Sequence, residues 1–244
     1  MNSTLLIASL VDDILVRKKA SRPLRVGIDG RCASGKTTLA DQLGSALALR
    51  RPEIQILRPS VDGFHHTRER RYRQGEYSAR GYYEDAYDYQ AIIECILQPL
   101  SGEEFPVLCR QVAHDWRTDL PHDAPPVSVG ANAVLLFEGV FVLRQEVDQY
   151  WDLRILVDVD AESSIARAIE RDITERDSGM LGSREREIIE RKYHLRYEPA
   201  WQIYVAEEHP ELRADLIVHN QDVENPTLSR RGSGTEPTPD SRQR

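Results

Sequence analysis

Apolar residues occur along this chain in short runs that suit buried strands. The most continuous run spans residues 133–137 and is followed directly by Glu138 and Gly139. Runs of this kind, separated by stretches with helical spacing, are typical of a parallel sheet covered by helices on both faces. The pattern therefore predicts an α/β fold with a doubly wound, mainly parallel five-stranded sheet, whose strands are expected near residues 24–28, 54–57, 133–137, 153–157 and 215–218.

The two ends of the chain differ in character from the middle. Residues 1–23 carry apolar side chains at helical spacing, interrupted by Asp12 and Asp13, and no basic segment precedes them. They predict a docking helix rather than a signal peptide. Residues 226–244 contain Ser, Thr, Pro, Gly and Arg and hardly any apolar side chain, which predicts a disordered tail.

Between these ends, residues 24–225 form the predicted main domain. A helix is expected from about residue 36 to residue 49, because Pro52 stops its continuation. Residues 102–130 contain short extended pieces with several prolines and predict a small hairpin-like excursion from the sheet.

Composition limits the classes of partner. The 244 residues include 40 acidic and 32 basic side chains, so a formal charge of −8 offers no overall positive field for nucleic acid or an anionic membrane. The apolar runs are far shorter than the roughly 20 residues that cross a bilayer. Three cysteines without a C-x-x-C pair fit a reducing cytoplasm. The locally basic segment 67–83, where Arg alternates with Tyr, predicts a flexible loop that holds an anionic substrate or a merely solvated surface.

Residues 30–37 read G-R-C-A-S-G-K-T, between the first predicted strand and the helix that follows it. The glycines let consecutive N–H groups point into one hollow, and the helix N-terminus adds partial positive charge, so the loop suits the phosphates of a nucleotide. Lys36 is expected on the outer phosphates and the Thr37 hydroxyl on Mg²⁺. A glycine turn that ends in Lys-Thr by chance is the plain alternative, which the flanking strand and helix disfavour. The predicted nucleotide-binding residues are Gly30, Arg31, Cys32, Ala33, Ser34, Gly35, Lys36, Thr37 and Thr38.

Two acidic residues follow predicted strands at the edge of the sheet that carries this loop. Asp62 comes shortly after the second strand, and Glu138 ends the third. Phosphoryl transfer to a hydroxyl requires a metal ion on the phosphates and a carboxylate that orients or deprotonates the acceptor. We therefore predict that Asp62 contacts the acceptor hydroxyl and that Glu138 belongs to the magnesium shell. For Asp62 taken alone, a turn residue ahead of Gly63 is the more ordinary use.

Five motifs occur along the chain. In order, they are the phosphate loop 30–38, Ser60-x-Asp62-Gly63-Phe64, Asp85-Ala86-Tyr87-Asp88, Phe137-Glu138-Gly139 and Arg171-Asp172-Ile173-x-x-Arg176. In this combination, from about Leu24 to Asn220, the chain resembles the uridine kinase branch of the phosphoribulokinase and uridine kinase family of P-loop kinases. The resemblance implies a P-loop NTPase fold and an enzyme that uses ATP and Mg²⁺ to phosphorylate a hydroxyl of a small molecule. Relatives of this kind are often dimers or tetramers, so a homo-oligomer is also open.

The resemblance also assigns roles. Asp62 falls at the catalytic aspartate, and Arg171 and Arg176 fall in a mobile helical lid, about residues 167–197, whose arginines close over the phosphates. Guanidinium groups suit that role because they neutralise spreading phosphate charge in a bidentate manner. The predicted catalytic residues are Asp62, Lys36, Arg171 and Arg176. The predicted acceptor-binding residues are Asp62, Phe64, His65, Asp85, Asp88, Arg110, His114 and Arg117.

The sequence does not identify the compound that accepts the phosphate. Uridine kinases usually carry a tyrosine and an aspartate five and four residues before a base-contacting histidine, whereas Cys109 and Arg110 precede His114 here. A cysteine cannot stack on a pyrimidine as a tyrosine does. The alternatives are a nucleoside such as uridine or cytidine, a pantothenate-like or sugar-like compound, and a non-enzymatic nucleotide-binding regulator. No N-K-x-D motif occurs, which argues against a GTPase switch.

Overall fold

The computed structural model describes residues 3–176 and 183–231 of the chain. Over these residues the strands, β1 to β10 in chain order, are Leu24–Asp29, Gln55–Leu57, Val107–Cys109, His114–Asp115, Leu120–Pro121, Val127–Val129, Ala133–Gly139, Leu153–Asp158, Leu216–His219 and Thr227–Arg230. The helices, α1 to α10, are Ser3–Arg17, Lys36–Arg50, Arg68–Tyr72, Ala79–Asp85, Tyr89–Ile92, Gln145–Asp148, Ala161–Arg176, Ser183–Lys192, Glu198–Glu208 and Pro210–Arg213. Single turns of other helical types are Val61–Phe64, Ile93–Leu97, Pro99–Ser101 and Tyr193–Tyr197.

Six strands form the central sheet, in the order β10-β9-β8-β1-β7-β2. The strands β2, β7, β1, β8 and β9 run parallel, so the predicted mainly parallel sheet is confirmed. The two central strands, β1 and β7, are buried along their whole length and pair from Leu24 with Val134 to Asp29 with Gly139. Because the parallel strands all end at one edge of the sheet, the loops after them meet there.

The sixth strand corrects the expectation that residues 226–244 are disordered. Strand β10 pairs antiparallel with β9, although Leu228 is its only apolar residue. Composition missed it because backbone hydrogen bonds along a sheet edge do not depend on apolar side chains. The Arg230 guanidinium adds hydrogen bonds to the Asp13 carboxylate at 2.9 Å and to the Ser9 hydroxyl at 2.6 Å. Residues 232–244 lie outside the described part of the chain.

The two faces of the sheet carry separate hydrophobic clusters. On one face α1 and α2 pack together, with Leu10, Ile14 and Leu43 fully buried. On the other face an aromatic cluster extends from Phe137 and Trp151 to helix α9. Helices on both faces are the doubly wound arrangement expected from the sequence. Among the described residues, no helix is both long and apolar enough to span a membrane.

Residues 107–129 form an arm beside the sheet, at the predicted excursion. The arm consists of two small antiparallel pairs, β3 with β6 and β4 with β5. It contacts the turn that follows β2, since the Ala113 N–H donates to the Gly63 carbonyl at 2.8 Å. The arm therefore covers one side of the edge at which Asp62 lies.

Candidate active site

The loop between β1 and α2 has the backbone of a phosphate-binding loop. Ala33 and Gly35 have φ values of 51° and 97°, so the chain curls before α2 begins at Lys36. The φ of Gly35 favours glycine, and a Cβ atom there would lie 2.6 Å from Nδ2 of Asn220, which would have to move. The N-cap residue of α2 is Gly35, which has no side chain to cap the helix, so the N–H groups of the first turn are left for an anion.

Two hydrogen bonds from later elements hold the loop in shape. The Ser164 hydroxyl, in α7, donates to the Cys32 carbonyl at 2.5 Å. The Asn220 amide, after β9, donates to the Ser34 carbonyl at 2.7 Å. Neither Ser164 nor Asn220 was predicted as a site residue. Both follow parallel strands at the edge that carries the loop, and this position is the sequence signal from which they could have been predicted.

Asp62 lies in a short turn that is joined to the end of the sheet. Ser60 forms an isolated bridge with Glu138, and its hydroxyl accepts the Asp62 N–H at 3.3 Å at the start of the turn Val61–Phe64. The Asp62 side chain is exposed, and the Tyr87 hydroxyl donates to it at 3.4 Å. An exposed carboxylate on a fixed turn is well placed to meet an incoming hydroxyl group.

Glu138 ends β7 beside the phosphate loop and is only 8% exposed. The hydroxyls of Ser60 and Thr37 lie beside its carboxylate. Burial raises the pKa of Glu138, the positive charge of Lys36 opposes that rise, and the Asp62 charge adds to it. The structure thus brings together Lys36, Thr37, Asp62 and Glu138, which were predicted from three separate motifs.

Thr37 and Glu138 offer oxygen atoms that suit Mg²⁺. The residues described by the structure include no group of three or more His, Cys, Asp or Glu side chains able to hold a metal ion by themselves. Mg²⁺ usually keeps several waters and binds one or two protein oxygens together with substrate phosphates. A hydroxyl and a carboxylate beside a phosphate loop fit that coordination.

Aromatic and basic side chains surround Asp62 on the side of the arm. Nδ1 of His65 lies 3.0 Å from the Asp62 carbonyl oxygen, and the His65 ring centroid lies 4.5 Å from that of Tyr87 and 6.0 Å from that of Trp116. Burial lowers the pKa of His65, and the Asp62 charge opposes this. His114 is buried, and its ring nitrogens have no hydrogen-bond partner within the described chain.

Residues 25–225 match the Phosphoribulokinase / Uridine kinase family. The chain belongs to this family. Uridine-cytidine kinase B of Dictyostelium discoideum is 28% identical over 166 residues, which cover 67% of this chain and 64% of that relative. Uridine/cytidine kinase UKL1, chloroplastic, of Arabidopsis thaliana is 29% identical over 158 residues, which cover 64% of this chain and 30% of that relative. The chain therefore spans less than two thirds of the length of either protein.

Solved structures agree on the fold of this family member. A possible uridine kinase from Bacillus stearothermophilus has a TM-score of 0.62 and 25% identity, over 86% of this chain and 96% of that one. D-glycerate 3-kinase from Cryptococcus neoformans has a TM-score of 0.59 and 13% identity, over 92% and 99% of the two chains, a likeness that shows the fold alone. The α/β P-loop NTPase fold that the motifs implied is confirmed.

Three of the predicted acceptor-binding residues make contacts within the fold. Phe64 is fully buried, 5.9 Å from Phe137 between ring centroids, so it does not face the cleft. Asp85 is buried and ion-paired with Arg73 at 2.6 Å. Burial would raise the pKa of Asp85, but the hydrogen bonds to its carboxylate hold it below its usual value. Asp88 caps α5 by accepting a backbone N–H at 2.9 Å.

The two predicted arginines of the arm lie on its exposed surface. The Arg110 guanidinium donates to the Ala124 carbonyl at 3.5 Å. The Arg117 guanidinium lies 4.7 Å from the ring centroid of Trp116, which in turn faces His65. Their part in acceptor binding stays a prediction.

Arg171, one of the arginines of the predicted lid, lies near the phosphate loop. Burial raises the pKa of the Cys32 thiol, and the charges of Lys36 and Arg171 oppose that rise. The Arg171 guanidinium donates to the Tyr193 hydroxyl at 3.2 Å. The Arg176 side chain lies outside the described residues.

Residues 67–83 contain helix α3 and most of helix α4, which pack against the turn Tyr193–Tyr197, and do not form the flexible loop that was predicted as one alternative. Arg196 holds this segment in place. It is buried, and Cζ of its guanidinium lies 4.7 Å from the ring centroid of Tyr72 and 5.3 Å from that of Tyr82. Its guanidinium donates at 2.8 to 3.2 Å to the backbone carbonyls of Arg71, Gly75, Glu76 and Ser78. A local sequence pattern could not reveal this contact, because Arg196 lies 118 to 125 residues further along the chain.

Proposed function

We propose that this protein is an ATP-dependent kinase that transfers the γ-phosphate to a hydroxyl of a small molecule. The observation that carries the proposal is the convergence of Lys36, Thr37, Asp62 and Glu138 beside a phosphate loop. Relatives named uridine-cytidine kinases make a pyrimidine nucleoside, uridine or cytidine, the first acceptor to consider.

Catalysis of this kind depends on positioning and on charge stabilisation. In the proposed reaction the loop N–H groups and Lys36 hold the outer phosphates of ATP. Asp62 orients the acceptor hydroxyl and accepts its proton as the oxygen attacks the γ-phosphorus. Thr37 and Glu138 would hold Mg²⁺, which supplies positive charge to the phosphates when bound. The products are ADP and the phosphorylated acceptor.

The lid arginines complete the proposed site. Arg171 and Arg176 neutralise the charge that spreads over the transferring group. Closure of the lid region also excludes water, which would otherwise hydrolyse ATP.

A second class of acceptor is supported by the arm. Cys109 stands where a uridine kinase carries a base-stacking tyrosine, and burial raises its pKa to about 11. Arg71 and His114 both approach Oδ1 of Asp119, at 3.5 and 3.6 Å. Nε of Arg71 and the ring nitrogens of His114 are buried without hydrogen-bond partners in the described residues. The carboxylate of a pantothenate-like compound or the hydroxyls of a sugar would satisfy such donors.

The test is an acceptor panel with the full chain, ATP and MgCl₂. ADP release is measured with uridine, cytidine, pantothenate and a set of sugars, and the product is identified by mass spectrometry. ADP release that depends on uridine or cytidine supports the first class, and release only with pantothenate or a sugar supports the second. If ATP binds but no acceptor stimulates ADP release, the kinase proposal is wrong and a nucleotide-binding regulator is the better interpretation.

A further inference from the structure

One face of helix α9 contacts the start of the phosphate loop. Glu198, Trp201 and Tyr204 are spaced three residues apart, so their side chains follow one face of the helix. Trp201 and Tyr204 are buried, and the Glu198 side chain is 15% exposed. All three contact residues 29–31, where the chain leaves β1 and enters the loop.

Arg31 is held by this face of α9. Its guanidinium lies 2.8 Å from the Glu198 carboxylate and 5.4 Å from the Trp201 ring centroid, and 14% of its side chain is exposed. The backbone carbonyl of Arg31 accepts a hydrogen bond from the Lys36 ammonium at 2.7 Å. The position of Arg31 therefore sets the place from which Lys36 reaches a phosphate.

Asp29 makes a second link between α9 and the loop. Its buried carboxylate accepts the Gly30 N–H at 2.7 Å, the Leu143 N–H at 3.2 Å and the Tyr204 hydroxyl. Burial raises the pKa of Asp29, and these hydrogen bonds oppose the rise. A Cβ atom on Gly30 would lie 2.5 Å from the Val157 carbonyl oxygen. The start of the loop is therefore packed closely against the backbone of β8.

We propose that Glu198, Trp201 and Tyr204 are positioning residues for the phosphate loop, which act through Arg31 and Asp29 on the affinity for ATP. The inference rests on the proposed function, because it concerns the ATP site of the kinase. Backbone N–H groups bind phosphates tightly only when they are already fixed in the right orientation. Helix α9 provides that fixation from outside the loop.

The place of α9 in the chain also connects the loop with the lid region. Helix α9 begins at Glu198, directly after the turn Tyr193–Tyr197. That turn contacts the lid arginine, since the Tyr193 hydroxyl accepts a hydrogen bond from Arg171. Glu198 therefore lies between the lid region and Arg31, and the phosphate loop and the lid share one support.

The first test compares Glu198→Gln with Glu207→Gln on the same helix. Glu207 continues the three-residue spacing, but its side chain is 45% exposed and pairs at 2.6 Å with the equally exposed Arg80 rather than with Arg31. Calorimetry with ATP and MgCl₂ gives Kd, and steady-state kinetics give KM and kcat. Glu198→Gln is expected to raise Kd and KM for ATP about fivefold or more with kcat within about twofold, because substrate and transition state lose the same contacts. Glu207→Gln is expected to leave all three values unchanged.

The second test compares Tyr204→Phe with Tyr83→Phe in the same aromatic cluster. The Tyr83 hydroxyl bonds to Glu208 at 3.3 Å and does not reach the loop. Tyr204→Phe is expected to raise the Kd for ATP, and Tyr83→Phe to leave it unchanged, with thermal unfolding confirming that each variant is folded. The inference is overturned if Glu198→Gln and Tyr204→Phe bind ATP as tightly as the parent chain. If the parent chain binds no ATP, the proposed function fails and the inference falls with it.

Discussion

At the scale of single residues, the two carboxylates of the site differ in their surroundings. Asp62 is exposed at the tip of a turn, whereas Glu138 is buried between the hydroxyls of Ser60 and Thr37. An exposed carboxylate is accessible to an acceptor that arrives from solvent. A buried one beside the phosphate loop is better suited to a metal ion. Environment therefore separates the proposed roles of two chemically similar groups.

Asp62→Asn is expected to bind ATP like the parent chain and to lower turnover about 100-fold to 10,000-fold. The amide keeps the shape of the side chain but cannot accept a proton. ADP release with the acceptor found in the panel measures turnover, and calorimetry measures ATP binding. Asp123→Asn, at an exposed position of the arm, is the control and should keep full activity. Parent-like turnover of Asp62→Asn would show that the carboxylate assignment is wrong.

Glu138 predicts the acid side of the pH profile. Because burial raises its pKa above the ordinary value of 4.5, the side chain is protonated at pH values where a free glutamate is ionised. The protonated acid is a poor ligand for Mg²⁺, so kcat/KM for ATP is expected to fall as the pH drops through this raised pKa. Glu138→Gln is expected to have a lower rate at every pH. Its pH profile should also lack this fall at low pH. An unchanged acid limb in that variant would assign the titration to another group.

At the scale of elements, chemistry within one short segment or at the ends of parallel strands was predictable from the sequence, and side-chain packing between other distant segments was not. The phosphate loop lies directly between β1 and α2, so its motif and flanks were enough to identify it. Strand β7 was located to within two residues because a central strand is buried on both faces and therefore apolar throughout. Phe64 was predicted to bind the acceptor as part of the motif that contains Asp62, yet its packing on Phe137 depends on another strand. The contacts of α9 with Arg31 and Asp29 have no local signature at all.

Gly139 determines how closely the turn of Asp62 approaches β7. A Cβ atom on Gly139 would lie 2.1 Å from Cγ1 of Val61, the residue before Asp62. Gly139→Ala is therefore expected to lower the free energy of unfolding by about 1–3 kcal/mol, through overpacking, and to lower kcat because the turn must move. Urea denaturation and ADP release measure the two effects.

Gly130→Ala is the matched control for this substitution. Gly130 precedes β7, and nothing lies within 4 Å of a Cβ atom built on it. Its stability and activity should equal those of the parent chain. The close approach of the turn has no energetic consequence if Gly139→Ala unfolds at the same urea concentration as Gly130→Ala.

At the scale of the whole molecule, each parallel strand of the sheet contributes to one site. The strands β1, β2, β7, β8 and β9 are followed or ended by Lys36, Asp62, Glu138, Ser164 and Asn220 respectively. Parallel strands deliver their carboxyl ends to one edge, which explains why residues so far apart in the chain meet. Since every one of these strands must be in place for the site to exist, nucleotide binding is coupled to the folding of the entire sheet.

ATP with Mg²⁺ is therefore expected to stabilise the fold as a whole. A ligand that binds only the native state adds about 2.7 kcal/mol at 100 times its Kd, which corresponds to a rise in Tm of about 5–11 °C for a domain of this size. Lys36→Ala is expected to show a smaller rise, because it removes the ammonium group beside the loop and leaves the sheet intact. Thermal unfolding is followed with and without ATP, with MgCl₂ in both, and with adenosine in place of ATP as the control. A Tm of the parent chain that ATP does not change contradicts the nucleotide site, and an equal rise in Lys36→Ala would show that ATP binds away from the phosphate loop.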